Sequence, residues 1–154
     1  MVGQPGHILY SEVTFTEGGA AGTYSGSVTI PVDSWLLDVK IFNHVYWDAG
    51  TEAKMAVGDA STADGWFSDL STKATDIVAG ANAEVVDFNN AGGKPGGYLV
   101  AGTGERAEMY ANAERVITGS IVTTGATGSA GRTRMLVIYT DPTVPTPATY
   151  TATA

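Results

Sequence analysis

The chain has 154 residues, 44% of them hydrophobic and only 16% charged, a length suited to one domain with a single core. Its formal net charge of -8 argues against a nucleic-acid groove, where Lys and Arg must neutralise phosphates, and reads instead as solubility and like-charge repulsion. The absence of cysteine excludes disulfides, thiolate nucleophiles and Cys-ligated zinc.

The opening residues, MVGQPGHILYSE, carry no basic region followed by an apolar core, so no signal peptide is expected, and no apolar run is long enough to cross a bilayer. From there period-two alternation dominates, the pattern of half-buried antiparallel strands. Leu9, Val13 and Phe15 face one way, against Tyr10, Glu12 and Thr14. Tyr24, Gly26, Val28 and Ile30 share a face opposite Ser25, Ser27 and Thr29. The stretch from Trp35 to Gly58 reads as a β-hairpin: a long strand, a tight Asp48-Ala49-Gly50 turn and a returning strand. Its predicted inward residues are Leu37, Val39 and Ile41, then Ala53, Met55 and Val57.

Shorter strands are predicted at Glu84–Phe88 and Gly97–Ala101. Helix signals are thin. Glu105–Arg115 contains good helix formers and Asp69–Val78 has room for one turn, but neither shows a broad apolar stripe. A late pair, Arg115–Thr124 and Thr133–Thr140, is joined by the loop GATGSAGR. In the last strand Met135, Val137 and Tyr139 alternate with Leu136 and Ile138, so both faces are apolar and the strand belongs deep in a sandwich or at a subunit interface. The tail, DPTVPTPATYTATA, is rich in Pro and Thr and builds no core of its own. The predicted organisation is an N-terminal arm over 1–7, a β-sandwich over 8–140 and an extended arm over 141–154.

Candidate chemistry is sparse. Gly102-Thr103-Gly104-Glu105-Arg106-Ala107 imitates a dinucleotide fingerprint but lacks the βαβ context that gives such glycines their role, and reads as a turn. In AGGKPGG the proline after Lys94 removes a donor that a phosphate cradle needs. Asp59, Asp64 and Asp69 offer oxygens to calcium, but their spacing departs from alternate-position ligand loops, and turns are the expected role of these residues. His7 and His44 are the only histidines, and His44 is expected on a partly exposed strand face. No G-x-S-x-G elbow is present, and Glu105, Glu108 and Glu114 lie so close in sequence that a solvated surface is the expected role. No catalytic, cofactor-binding or metal-binding residue is therefore assigned. Trp47 and Trp66, with Tyr46, offer either a stacking platform for sugars or plugs at the sandwich ends; Trp35 is the third tryptophan.

Two segments together resemble the small structural proteins of tailed bacteriophages that are encoded near the major capsid protein. The first, IPVDSWLLDVKIFNHVYWDAGTEAKMAVGDASTADGWF followed by STKATDIVAG, has the I-P strand start, the LLDVKV-like alternation, W-D-x-G-T, the VGD turn and D-G-[WYF] of that pattern. The second, RVITGSIVTTGATGSAGRTRMLVIYT, resembles its closing hairpin. The resemblance implies an all-β, jelly-roll-like antiparallel sandwich with extended N- and C-terminal arms. It implies a non-enzymatic virion component without cofactor, made in bacterial cytoplasm and bound on the capsid exterior as a decoration or cement protein. The implied partners are the major capsid protein and further copies of the chain, a trimer matching a lattice three-fold, with neither nucleic acid nor membrane. The alternative is a carbohydrate-binding or host-attachment module of a virion, using Trp47, Trp66 and Tyr46.

Overall fold

In the computed structural model, which describes residues 7–73, 85–89, 91, 94–100 and 109–140, the alternating segments form nine strands among the described residues. They are β1 (Ile8–Thr16), β2 (Thr23–Ile30), β3 (Ser34–Val45), β4 (Glu52–Gly58), β5 (Phe67–Ser71), β6 (Val85–Val86), β7 (Tyr110–Ala111), β8 (Arg115–Thr124) and β9 (Arg132–Thr140). One sheet runs β1-β9-β3-β6, with β7 pairing the start of β3; the other runs β2-β8-β4-β5. Every pairing is antiparallel. The chain changes sheet at nearly every connection, and the interleaved orders are those of a jelly roll, two Greek keys closed face to face.

Two predicted hairpins are therefore corrected. β3 and β4 lie in different sheets, as do β8 and β9, and their connections cross the sandwich. Trp47 and Ala49, each 1% exposed, sit inside the first crossing and fill the end of the core instead of forming a tight turn. Trp47 is fixed there by a chain of buried polar groups: its Nε1 donates to Thr133 Oγ1 (2.8 Å), whose hydroxyl donates to Asn43 Oδ1 (2.7 Å). Asn43 Nδ2 in turn donates to the Thr72 carbonyl (2.8 Å). Each buried member has a partner, so the network fixes one geometry without leaving an orphaned group there.

The core lies between the sheets, where Phe15, Ile30, Val39, Met55, Ile117 and Met135 are buried. At its centre β8 passes close to the facing sheet: a Cβ on Gly119 would stand 2.8 Å from Phe15 Cζ and 3.0 Å from Met135 Sδ. A bulge between Leu36 and Asp38 shifts the face at the start of β3. Leu36 is buried there and Leu37 is exposed, the reverse of the predicted assignment, while Val39 and Ile41 face inward as expected. Such an extra residue turns the upstream side chains to the other face.

Other expectations shift as well. Residues 97–100 form a turn, and Ala101 lies outside the described residues. Of the Glu84–Phe88 segment the structure forms Val85–Val86 as strand. Where helix signals are thin, Asp69 belongs to β5, Tyr110–Ala111 forms β7 and Arg115 starts β8, while residues 74–78 and 105–108 of those two segments lie outside the described residues. The predicted arms, His7 apart, and the Gly102–Ala107 segment lie outside the described residues.

Candidate functional site

The acidic turn after β4 is organised around an ion pair. Asp59 follows Gly58 and caps the loop as an Asx turn, its Oδ1 accepting from the backbone N–H of Ser61 (2.9 Å) and Thr62 (3.0 Å). Tyr98 Oη also donates to Oδ1 (3.0 Å), while Arg115 donates to Oδ2 through Nε (2.8 Å) and Nη2. Burial alone would raise this carboxyl's pKa, but the bonds from Arg115, Thr62 and Ser61 and the Arg115 charge more than offset it and hold it below the usual range. The guanidinium lies over the rings of Trp66 (5.3 Å) and Tyr98 (5.7 Å). Trp66 itself stacks on Phe88 with centroids 5.0 Å apart and meets Tyr98 edge-on at 4.8 Å.

This corner does not bring the three candidate calcium ligands together. Asp59 faces Arg115, Asp64 accepts from the Ser68 hydroxyl (3.0 Å), and Asp69 sits on β5 at φ 56. No three or more His, Asp or Glu side chains converge as a metal site among the described residues. Beside the ion pair, Ser61, Tyr110, Asn112 and Glu114 line an open groove of about 500 Å³. Its Asp59 and Arg115 walls neutralise each other. Glu114 is exposed, and Glu105 and Glu108 lie outside the described residues. Pro95 forms an isolated antiparallel bridge with Phe67 along the outer edge of β5, where Ser68 N–H donates to the Lys94 carbonyl (3.1 Å).

The proposed sugar platform is not assembled. Trp66 is 0% exposed and Trp47 1%, so neither ring offers a face to solvent, while Tyr46 is exposed. Large aromatics inside a thin sandwich bury more apolar area than any other residue, which explains their use as plugs. His44 is exposed on β3 and stacks against Phe42 at 6.3 Å, as the strand pattern predicts.

Exposed aromatic and aliphatic side chains occur elsewhere, on the outer face of the larger sheet. Ile8 (65% exposed), Tyr10 (70%), Trp35 (47%), Leu37 and Tyr110 are exposed large hydrophobics. The register brings them together. Tyr10 lies opposite Ile138, Ile8 opposite Thr140, and Trp35 opposite Tyr110, while Trp35 N–H donates to Thr140 Oγ1 (2.9 Å). The Trp35 and Tyr110 rings are 5.2 Å apart, and Tyr110 Oη donates to Asp33 Oδ1 (2.8 Å), a bond that raises the phenol's pKa. Ile138 and Leu136, half-buried on β9, make this the second apolar face that the sequence indicates.

Further along the same face the charges pair among themselves. Lys40 Nζ lies 2.9 Å from Asp38 and 3.0 Å from Asp87, and the hydrogen bond to Asp38, against burial, raises its pKa. Arg134 lies 3.5 Å from Glu12 and over Phe42 at 5.4 Å. The face thus has an apolar half and a half whose charges are matched locally. Sequence periodicity marked β9 as apolar on both sides. It missed Trp35 and Leu37 because the bulge at Leu37 controls their direction.

No family model matches the chain, and no curated protein sequence matches it. Among solved structures, the fold is similar to a chain in the acidic stable capsid structure of Helicobacter pylori bacteriophage KHP30, with 14% identity, a TM-score of 0.54 and 97% of each chain covered. A chain in the capsid of Ralstonia phage GP4 is 12% identical, with a TM-score of 0.47, over 92% of this chain and 88% of that one. At 14% identity the likeness to the first of these is one of fold.

Proposed function

We propose that the protein is a non-enzymatic structural component of a bacteriophage capsid, a decoration or cement subunit docking on the outside of the head. The observation that carries this reading is the outer face of the larger sheet, where Ile8, Tyr10, Trp35, Leu37 and Tyr110 expose apolar area on a jelly roll. Contiguous apolar patches of this kind mark interaction surfaces. The full-length likeness of fold to a chain in a phage capsid structure supports the same reading, as does the sequence resemblance to phage structural proteins.

Mechanistically the subunit adds apolar burial and hydrogen bonds across the boundaries between capsomers, which raises the free energy needed to separate them. The major capsid protein is the proposed partner, and the rigid Trp35–Tyr110 pair is the proposed anchor, since aromatic side chains in pockets dominate interface energetics. The internally paired charges beside it form the rim. The test is the copy number of the chain in purified particles: a number proportional to the major capsid protein supports decoration. A handful of copies places the chain at a portal, tail or fibre, and absence from particles removes the proposal.

A further inference from the structure

The two sides of the sandwich end differently. On one side β5 has five residues, with its outer edge covered where Ser68 N–H meets the Lys94 carbonyl, and β6 has two. On the other side lie β1 and β2, nine and eight residues long, each in unbroken register with its inner neighbour. Neither contains proline or a bulge, and their only charged residue is Glu12. Natural sheets protect an exposed edge by shortness, cover, bulges, proline or charge. One side of this molecule has such protection; the other has Glu12 alone.

We propose that β1 is a pairing edge for a second copy of the chain, set antiparallel about a two-fold axis at Ser11, so that the larger sheets of two molecules become one. Among the described residues nothing pairs with the outer edge of β1, and its first three side chains, Ile8, Leu9 and Tyr10, are exposed. The sequence of β1 complements itself in this register. Leu9 meets Val13 of the second copy, Ile8 meets Thr14, and Tyr10 meets Glu12. A register centred one residue later sets Glu12 against itself, a destabilising like-charge pair. The proposed register also continues both faces across the seam. Leu9, Ser11 and Val13 extend the inner face, with Ser11 Oγ 3.3 Å from Tyr139 Oη, while Tyr10 beside Ile138 extends the outer one. This self-complementarity selects a second copy over an unrelated strand, and a two-fold contact closes on itself without leaving a new open edge on β1.

The contact belongs to the free protein and is tested without capsids. Sedimentation of the full chain should give twice its 15.9 kDa mass. Because the chain has no cysteine, Ser11→Cys with a short thiol-specific cross-linker should yield a covalent dimer, whereas Ser27→Cys on β2 should not. Tyr10→Glu sets two carboxylates against each other in each half of the seam and should weaken dimerisation about tenfold, with circular dichroism unchanged. Adding Glu12→Lys to Tyr10→Glu should restore the dimer by making the facing charges opposite. A wild-type monomer, a trimer, a dimer that Ser11→Cys fails to cross-link, or a Tyr10→Glu variant of undiminished association overturns the proposal.

Discussion

The guanidinium of Arg115 lies 5.3 Å above the ring of Trp66, a contact that turns a candidate surface platform into the floor of a buried ion pair. Trp66 supplies an apolar, electron-rich base, and Asp59 holds the guanidinium from the side through Nε. With side-chain exposures of 13% for Arg115 and 6% for Asp59, the pair is largely withdrawn from water.

Removing one partner leaves the other charge buried. Asp59→Ala should destabilise the fold by about 3–5 kcal/mol, measured by urea unfolding at neutral pH. The Asp59 carboxyl has a depressed folded pKa, so its stabilisation is present above the unfolded value and is lost as pH falls through the folded one. The deficit of the variant should therefore shrink on acidification. An unchanged midpoint at pH 7 would mean that the pair contributes nothing net.

Two tryptophans should separate folding from docking. Trp66→Ala opens a cavity beneath Arg115 and should cost about 3–5 kcal/mol of stability. Trp35→Ala removes an exposed ring and should leave the unfolding midpoint nearly unchanged while lowering the amount of protein bound to capsids. Equal capsid occupancy for Trp35→Ala and wild type would move the docking surface elsewhere.

Glu17 gives a pH dependence of opposite sign. Burial raises its pKa, although its Oε2 accepts the Asp48 N–H (3.2 Å), and the neighbouring Asp48 carboxylate pushes further in the same direction as burial. Asp48 is lowered by the backbone N–H groups of Ala130 (2.9 Å) and Ser129 (2.7 Å). A raised carboxyl favours the fold while protonated in acid, and that contribution is lost as pH rises through its folded value. Glu17→Gln should match wild type in acid and exceed it at neutral pH, since an amide keeps an acceptor for Asp48 N–H without the charge. Thermal melts across pH 3 to 8, as rough bounds around the ordinary carboxyl value, test this; a constant difference across the range would remove the carboxyl from the account.

Truncation tests the proposed arms. Removing 141–154 should leave the unfolding midpoint of the sandwich unchanged and reduce capsid occupancy, as should removing 1–7. Undiminished occupancy with both removed would show that neither segment grips a neighbour.

Strand faces were legible from the sequence wherever alternation was uninterrupted: Ala53, Met55 and Val57 point inward, and Val28 and Ile30 likewise. Period two specifies a face and says nothing about which strand lies beside it. That is why β3 and β4 read as a hairpin when they belong to opposite sheets. One signal was present: the connection contains Trp47 and Ala49, both buried, whereas a surface turn carries polar residues. The bulge at Leu37 left no comparable trace, because Trp-Leu-Leu is apolar in either register. The Asp59–Arg115 pair spans 56 positions, a distance over which local spacing has no reach. The outer apolar face was half legible, through Leu136 and Ile138 on β9.

The position of β9 has a consequence for biosynthesis. It is the last strand in sequence among the described residues, yet it lies between β1 and β3 and hydrogen-bonds to both. Until residue 140 has left the ribosome, β1 and β3 lack the strand that joins them, and their inward side chains have no completed core to enter. The larger sheet must form after synthesis has passed residue 140, through contacts distant in sequence, which slows folding and lengthens the interval in which uncovered strands can meet other nascent chains.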